Sequence, residues 1–98
     1  MTSHPNMNRA VFLDRDGVIN PMVRDTDTGN LESPYGPDLF DTYPNAPEAV
    51  KLINKLGFLT IVISNQPGVA KGKCTPEAME LITNKMQMAL ESVSAKID

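Results

Sequence analysis

The sequence predicts an α/β fold: a partial Rossmann-like parallel sheet with flanking helices, its carboxyl-terminal half missing. Three observations predict it. Two short apolar runs, Ala10-Val11-Phe12-Leu13 and Phe58-Leu59-Thr60-Ile61-Val62-Ile63, each stop at a polar cluster. Continuous runs of that length suit parallel strands covered on both faces. Helical patterns follow each of them, so the order is strand, helix, strand, helix, the order of βαβ units. No third apolar run follows the last helix. Two parallel strands make a poor sheet without further strands or helix packing. The stretch Lys96-Ile97-Asp98 stands where another strand is expected to begin.

Taken in order, residues 1–9 are polar, contain Pro5 and lack the apolar stretch of a secretory signal, so a disordered tail is expected. The first strand ends at Asp14-Arg15-Asp16-Gly17. The segment 20–45 carries Pro21, Gly29, Pro34, Gly36, Pro37 and Pro44, which leaves little room for regular structure. It reads as a flap or substrate loop, with a short hairpin turning at Asp27-Thr28-Gly29-Asn30. Pro47 suits the first turn of the next helix and Gly57 its carboxyl cap. Ala49, Val50, Ile53 and Leu56 are its expected apolar stripe, broadened by Leu52. Thr75 is a good N-cap for the last helix, with Pro76 at the first helical position and Glu77 matching the helix dipole. Met79, Ile82, Met86, Ala89 or Leu90, and Val93 recur at helical spacing, and the helix is expected to reach about Ser94. The whole is one domain, 1–98, read as the amino-terminal part of a larger fold, marginally stable alone.

The composition sets limits. Hydrophobic residues are 41% and charged residues 21%, ordinary for a globular chain. A net charge of -3 with a pI near 5.0 gives no basic patch for nucleic acid. No apolar run approaches the length of a membrane span, so a soluble, cytoplasmic protein is expected. The single cysteine, Cys74, excludes an internal disulfide and reads as a packing residue at a loop–helix junction. His4, in the polar tail, lacks co-ligands.

In open parallel sheets, ligands bind beyond the carboxyl ends of the strands. Both polar clusters are placed there: Asp14 and Asp16 after the first strand, Ser64, Asn65 and Gln66 after the second. Two carboxylates at one place repel, which suits a cation or a shared proton. Mg²⁺ accepts a few carboxylates plus water and phosphate oxygens, and a carboxylate can attack phosphorus. A Ca²⁺ loop starting at Asp14 fails, because its sixth position is Ile19 and its twelfth is Asp25. The acidic flap residues Asp25, Asp27, Glu32, Asp38 and Asp41 read as solvated. Arg24, Lys71 and Lys73 could meet a second phosphate or simply face solvent.

Val11-Phe12-Leu13-Asp14-Arg15-Asp16-Gly17-Val18-Ile19-Asn20 resembles the first motif of the haloacid dehalogenase (HAD) superfamily. Ile63-Ser64-Asn65-Gln66-Pro67-Gly68-Val69-Ala70-Lys71-Gly72 resembles the second, in the form of the histidinol-phosphatase and heptose-bisphosphate-phosphatase branch. Leu56-Gly57-Phe58 and Thr75-Pro76-Glu77 resemble that branch too. The resemblance implies a Mg²⁺-dependent phosphoric monoester hydrolase acting on a small sugar phosphate, or on histidinol phosphate, through an aspartyl-phosphate. By it, Asp14 is the nucleophile and a Mg²⁺ ligand. Asp16 is the general acid and then the base, with its carbonyl on Mg²⁺. Ser64 bonds the phosphoryl group, and Asn65, Gln66 and Lys71 hold substrate. The superfamily's later Lys or Arg and later acidic residue have no counterpart here. Cys74 does not match a zinc-loop position, and no zinc is expected. Pro67 stands for the branch's usual Ser, and Ser64 for Thr. The expected alternative is an inactive remnant or binding module, with little turnover of its own unless the missing carboxyl-terminal segment is supplied as a separate chain.

Overall fold

The computed structural model describes residues 9–64 and 74–98. Strand β1, Ala10–Asp14, is followed by the short strands β2, Val23–Arg24, and β3, Leu31–Glu32. A 3-10 turn, Pro37–Leu39, precedes helix α1, Ala46–Lys55. Strand β4, Leu59–Ile63, and helix α2, Pro76–Glu91, complete the described elements. β1 and β4 pair in parallel, with Ala10 opposite Leu59 and Asp14 opposite Ile63. β2 and β3 form the expected small antiparallel hairpin, with Val23 opposite Glu32.

The helix boundaries follow local chemistry. Thr75 caps α2 by accepting a 3.0 Å bond from Ala78 N–H on its hydroxyl, satisfying one of the orphan donors of the first turn. At the end of α1, Gly57 N–H donates to Asn54 C=O at 3.0 Å and Phe58 N–H to Ile53 C=O at 3.4 Å. This paired closure needs a left-handed residue, and Gly57 supplies it at φ 87°. α2 closes the same way with Ser94 at φ 64°: Ser94 N–H reaches Glu91 C=O and Ala95 N–H reaches Leu90 C=O.

The core joins Ile19, Phe40, Val50, Ile82, Met86, Leu90 and Ala95, with Leu13 and Val62 packed against it. Ile82, Met86 and Leu90 carry the buried stripe of α2, as the spacing predicts. The stripe of α1 is narrower than expected. Val50 is buried and Ile53 half-buried, while Ala49, Leu52 and Leu56 are exposed.

The strands also depart from the expectation of two covered faces. Leu13 and Val62 face the helices, but Phe12 is 63% exposed and Ile63 49%. The reason is topological. Asp98 N–H donates to Thr60 C=O at 2.8 Å, on the edge of β4 away from β1. The chain therefore steps from β1 to β4 and onward in one direction. Successive crossovers of one hand stepping one way lay both helices on the same side of the sheet.

Asn54 fastens this last step. Its amide nitrogen donates to Thr60 Oγ1 at 3.2 Å and to Lys96 C=O at 3.1 Å, and its Oδ1 accepts from Lys96 N–H at 2.8 Å. Asp98 Oδ2 accepts from Thr60 N–H at 2.8 Å, completing the contact with the strand edge. None of the described helices is long and apolar enough to cross a membrane.

Candidate active site

Parallel pairing in register sets the site. Asp14, the last residue of β1, stands opposite Ile63, the last of β4, and Arg15 N–H donates to Ile63 C=O at 2.9 Å. Ser64 follows at once. The tips of the two strands thus bring Asp14 and Ser64 to one end of the sheet, both exposed. The expected meeting of the two clusters holds for these residues. Asn65, Gln66, Lys71 and Lys73 lie outside the described residues, as do His4 and Pro67.

Beyond Asp14 the backbone folds into a tight turn. The Arg15 carbonyl accepts from Val18, Ile19 and Asn20 N–H at 3.3, 2.8 and 3.1 Å. Gly17 takes φ 90°, and its N–H donates to Asn20 C=O at 2.7 Å. Nothing lies within 4 Å of where a Cβ would stand, so the backbone angle, not space, calls for glycine there.

Asp16 is the most heavily bonded carboxylate of this turn. Arg15 Nε donates to Oδ1 at 3.1 Å and Asn20 Nδ2 to the same oxygen at 3.0 Å. Ser33 Oγ donates to Oδ2 at 2.8 Å. Arg15 Nη2 lies 3.0 Å from Oδ1, close enough for ionic attraction though not in hydrogen-bonding geometry. Burial pushes the Asp16 carboxyl up, but the bonds from Asn20 and Ser33 and the charge of Arg15 outweigh it, so its pKa lies below the ordinary carboxylate value. Asp14 and Asp16 therefore differ in setting: one carboxylate at an open strand tip, the other enclosed by protein donors.

Arg15, Asn20 and Ser33 were not singled out in the sequence. Arg15 is 2% exposed and lies 5.7 Å from the Phe40 ring, while Asn20 is fully buried. An Arg and an Asn flanking Asp16 inside a motif that ends a buried strand were the available signals. Ser33 had none, because it sits in a flap read as solvated. That flap is less solvated than expected. Glu32 is half-buried with Oε2 withdrawn from solvent, and Pro34 is buried. Arg24 bonds the hairpin's own Gly29 carbonyl. Cys74 is buried at the loop–helix junction, its Sγ 3.3 Å from Tyr35 C=O, as expected. A cavity of about 280 Å³ beside the hairpin is lined by Val23, Arg24, Glu32, Tyr35 and Leu39 among others.

Asp14 Oδ atoms and the Asp16 carbonyl are hard oxygen donors suited to a small divalent cation. Among the described residues no group of three or more His, Cys, Asp or Glu side chains surrounds such a position.

No family model matches the chain. Curated relatives do. D-glycero-beta-D-manno-heptose-1,7-bisphosphate 7-phosphatase of Escherichia coli K12 is 34% identical over 89 residues, covering 91% of this chain and 42% of the relative. An uncharacterised protein of Methanocaldococcus jannaschii is 40% identical over 62 residues, 63% of this chain and 57% of that protein. Among solved structures, D,D-heptose 1,7-bisphosphate phosphatase from B. bronchiseptica, complexed with magnesium and phosphate, superposes with a TM-score of 0.77 at 27% identity, covering 92% of this chain and 46% of that one. A HAD-like phosphatase from Mesorhizobium loti gives 0.75 at 28% identity, over 100% and 43%. The parallel strands bearing Asp14 and Ser64 are thus shared with phosphatases of one group: the chain belongs to the haloacid dehalogenase superfamily, is similar there to the heptose-1,7-bisphosphate 7-phosphatases, and spans less than half the length of the phosphatases named here.

Proposed function

We propose that this chain carries the nucleophile-bearing part of a Mg²⁺-dependent phosphatase that hydrolyses a small sugar-phosphate monoester. The observation that carries the reading is the register of β1 and β4, which sets Asp14 beside Ser64 at the exposed sheet end. An Asp14 oxygen attacks phosphorus in line, and the bond from phosphorus to the ester oxygen breaks. Asp16 gives the leaving oxygen a proton. Water then attacks the aspartyl-phosphate, Asp16 takes the water's proton, and inorganic phosphate leaves with Asp14 restored. Ser64 hydrogen-bonds the transferring group. Asn65, Gln66 and Lys71 are assigned to substrate by the motif alone.

Asp14 and the Asp16 carbonyl would hold Mg²⁺, which would neutralise charge on the transferring phosphoryl oxygens. Two protein donors suit this ion, which keeps several waters and binds phosphate directly. Asp16 rests as a carboxylate. An incoming phosphate dianion opposes that charge and favours the protonated form that the first step needs.

A heptose 1,7-bisphosphate-like substrate is the reading supported by the relatives' names, with histidinol phosphate as the alternative within the class. A second reading is phosphate and Mg²⁺ binding without turnover. It rests on the same oxygen donors, Asp14 and the Asp16 carbonyl, and needs no proton transfer by Asp16.

The test is phosphate release from sugar monophosphates and bisphosphates, with and without Mg²⁺, by this chain and by Asp14→Asn. Release that needs Mg²⁺ and disappears in Asp14→Asn supports the enzymatic reading. Equal rates in the two proteins remove it.

A further inference from the structure

We infer that Ser33 is a positioning residue that ties the β2–β3 hairpin to the carboxylate of Asp16, so that the state of the site and the placement of the hairpin are coupled. The inference rests on the proposed phosphatase reading and deepens it.

The two oxygens of Asp16 are held from different sides. Oδ1 receives Arg15 Nε and Asn20 Nδ2, both from the turn that contains Asp16. Oδ2 receives Ser33 Oγ at 2.8 Å from a segment 17 residues away. A hydroxyl donating to a carboxylate is a charge-assisted bond, stronger than one between neutral groups. Rotation of the Asp16 carboxyl towards a substrate oxygen therefore pulls on Ser33, and movement of the hairpin turns the carboxyl.

Ser33 is well placed to transmit that motion. It follows β3, Leu31–Glu32, directly. It precedes Pro34, which is buried and restricts the preceding residue to extended backbone. The hydroxyl is thus presented from a backbone with little freedom. The hairpin itself is slight: two residue pairs in the ladder, extended by Asp25 N–H to Asn30 C=O at 2.8 Å. A ladder this short has little stability of its own and depends on its anchors. Among the described residues, further anchors include the Cys74 thiol on Tyr35 C=O and Lys85 Nζ on Pro37 C=O at 2.7 Å, both leading to α2. Ser33 is an anchor that leads to the site.

The test needs no turnover. The full 98-residue chain, labelled with ¹⁵N, is titrated with Mg²⁺ and beryllofluoride, a mimic of the phosphoryl group on a carboxylate. Amide shifts at residues 14–20 report loading, and those at 23–32 report the hairpin. We expect both sets to move together in the unaltered chain and in Ser33→Thr. In Ser33→Ala the loading shifts persist and the hairpin response is lost, with α1 and β4 amides unchanged as the control for folding. A hairpin that responds equally in Ser33→Ala overturns the coupling. Should Ser33→Ala fail to fold, hydrogen exchange at Asp25 N–H in the unaltered chain decides: a rate unaffected by loading overturns the inference. Absence of any loading, or loading that survives in Asp14→Asn, is a different outcome. It refutes the phosphatase reading itself, and the coupling falls with it.

Discussion

Asn54 offers a sharp test of how this small domain is held together. The perturbation is Asn54→Ala. The side chain makes three hydrogen bonds, to Thr60 Oγ1 at 3.2 Å, Lys96 C=O at 3.1 Å and Lys96 N–H at 2.8 Å. A net intramolecular hydrogen bond contributes about 0.5–1.5 kcal/mol. Lys96 is exposed, so its two main-chain groups return to water and their bonds belong at the low end, roughly 0.5 kcal/mol each. Thr60 is fully buried, and its contact belongs nearer the top of the range, about 1–1.5 kcal/mol. The expected loss is therefore ~2–2.5 kcal/mol from these three bonds. At roughly 0.05 kcal/mol per residue, the low end for native proteins, a chain of this length has only about 5 kcal/mol to lose from. For a domain of this size, each kcal/mol corresponds to about 4–8 °C, so the melting midpoint should fall by roughly 8–20 °C. Thermal and urea unfolding followed by circular dichroism read the change. Hydrogen exchange at Asp98 N–H, which donates to Thr60 C=O, should quicken before the rest of the domain opens. A midpoint within ~3 °C of the unaltered chain would mean a loss well below 1 kcal/mol. That result would refute the view that Asn54 fastens the carboxyl-terminal segment to the sheet.

Two further predictions concern helix closure and acidity. Ser94 ends α2 in the left-handed region at φ 64°, a conformation that costs a side-chain-bearing residue energy. Ser94→Gly should raise stability by roughly 0.5–1 kcal/mol, the relief of strain offset by greater freedom of the unfolded chain; an unchanged or lower urea midpoint would contradict it. Asp16 has a folded-state pKa below its ordinary value, so between the two values the unfolded chain holds a proton that the folded chain does not. Unfolding free energy then rises with pH through that window. The stabilisation is complete above the ordinary aspartate value of about 3.9 and is lost as pH falls through the folded value. Asp98 shifts in the same direction, chiefly because Thr60 N–H donates to it. The measurement is therefore the difference between the unaltered chain and Asp16→Asn in urea unfolding at stepped pH. A slope with pH that Asp16→Asn leaves unchanged would rule out this contribution.

The elements most legible in the sequence were those settled by short-range chemistry. Thr75-Pro76 marks a helix start because a hydroxyl and a missing N–H each answer an orphan group of the first turn. Gly57 marks a helix end because the closing bonds need a left-handed residue. Ser94 performs the same closure and carried no comparable signal, since only the folded backbone reveals its φ. The apolar runs announced β1 and β4, and the polar clusters after them announced Asp14 and Ser64. Less legible was the side of each element that meets another. Leu52 in α1, Leu56 at its carboxyl cap, and Phe12 and Ile63 in the strands are apolar yet exposed. Periodicity places residues on a face, but contact requires a neighbour on that side.

What the amino-acid sequence determined alone was the type and order of the elements, the turn chemistry at Gly17, Gly29 and Gly57, and the identity of the residues at the strand tips. These depend on backbone angles and on donors and acceptors a few residues apart, which any local stretch carries with it. Tertiary structure decided that Asp14 stands beside Ser64, that Ser33 reaches Asp16 across 17 residues, and that Asn54 meets Lys96 across 42. Those contacts exist only after parallel strand pairing has set a register and both crossovers have laid their helices on one side of the sheet. The enclosure of Asp16 beside an open Asp14 is likewise a product of packing: burial and hydrogen bonds from separate segments, not residue type, give two like carboxylates different surroundings.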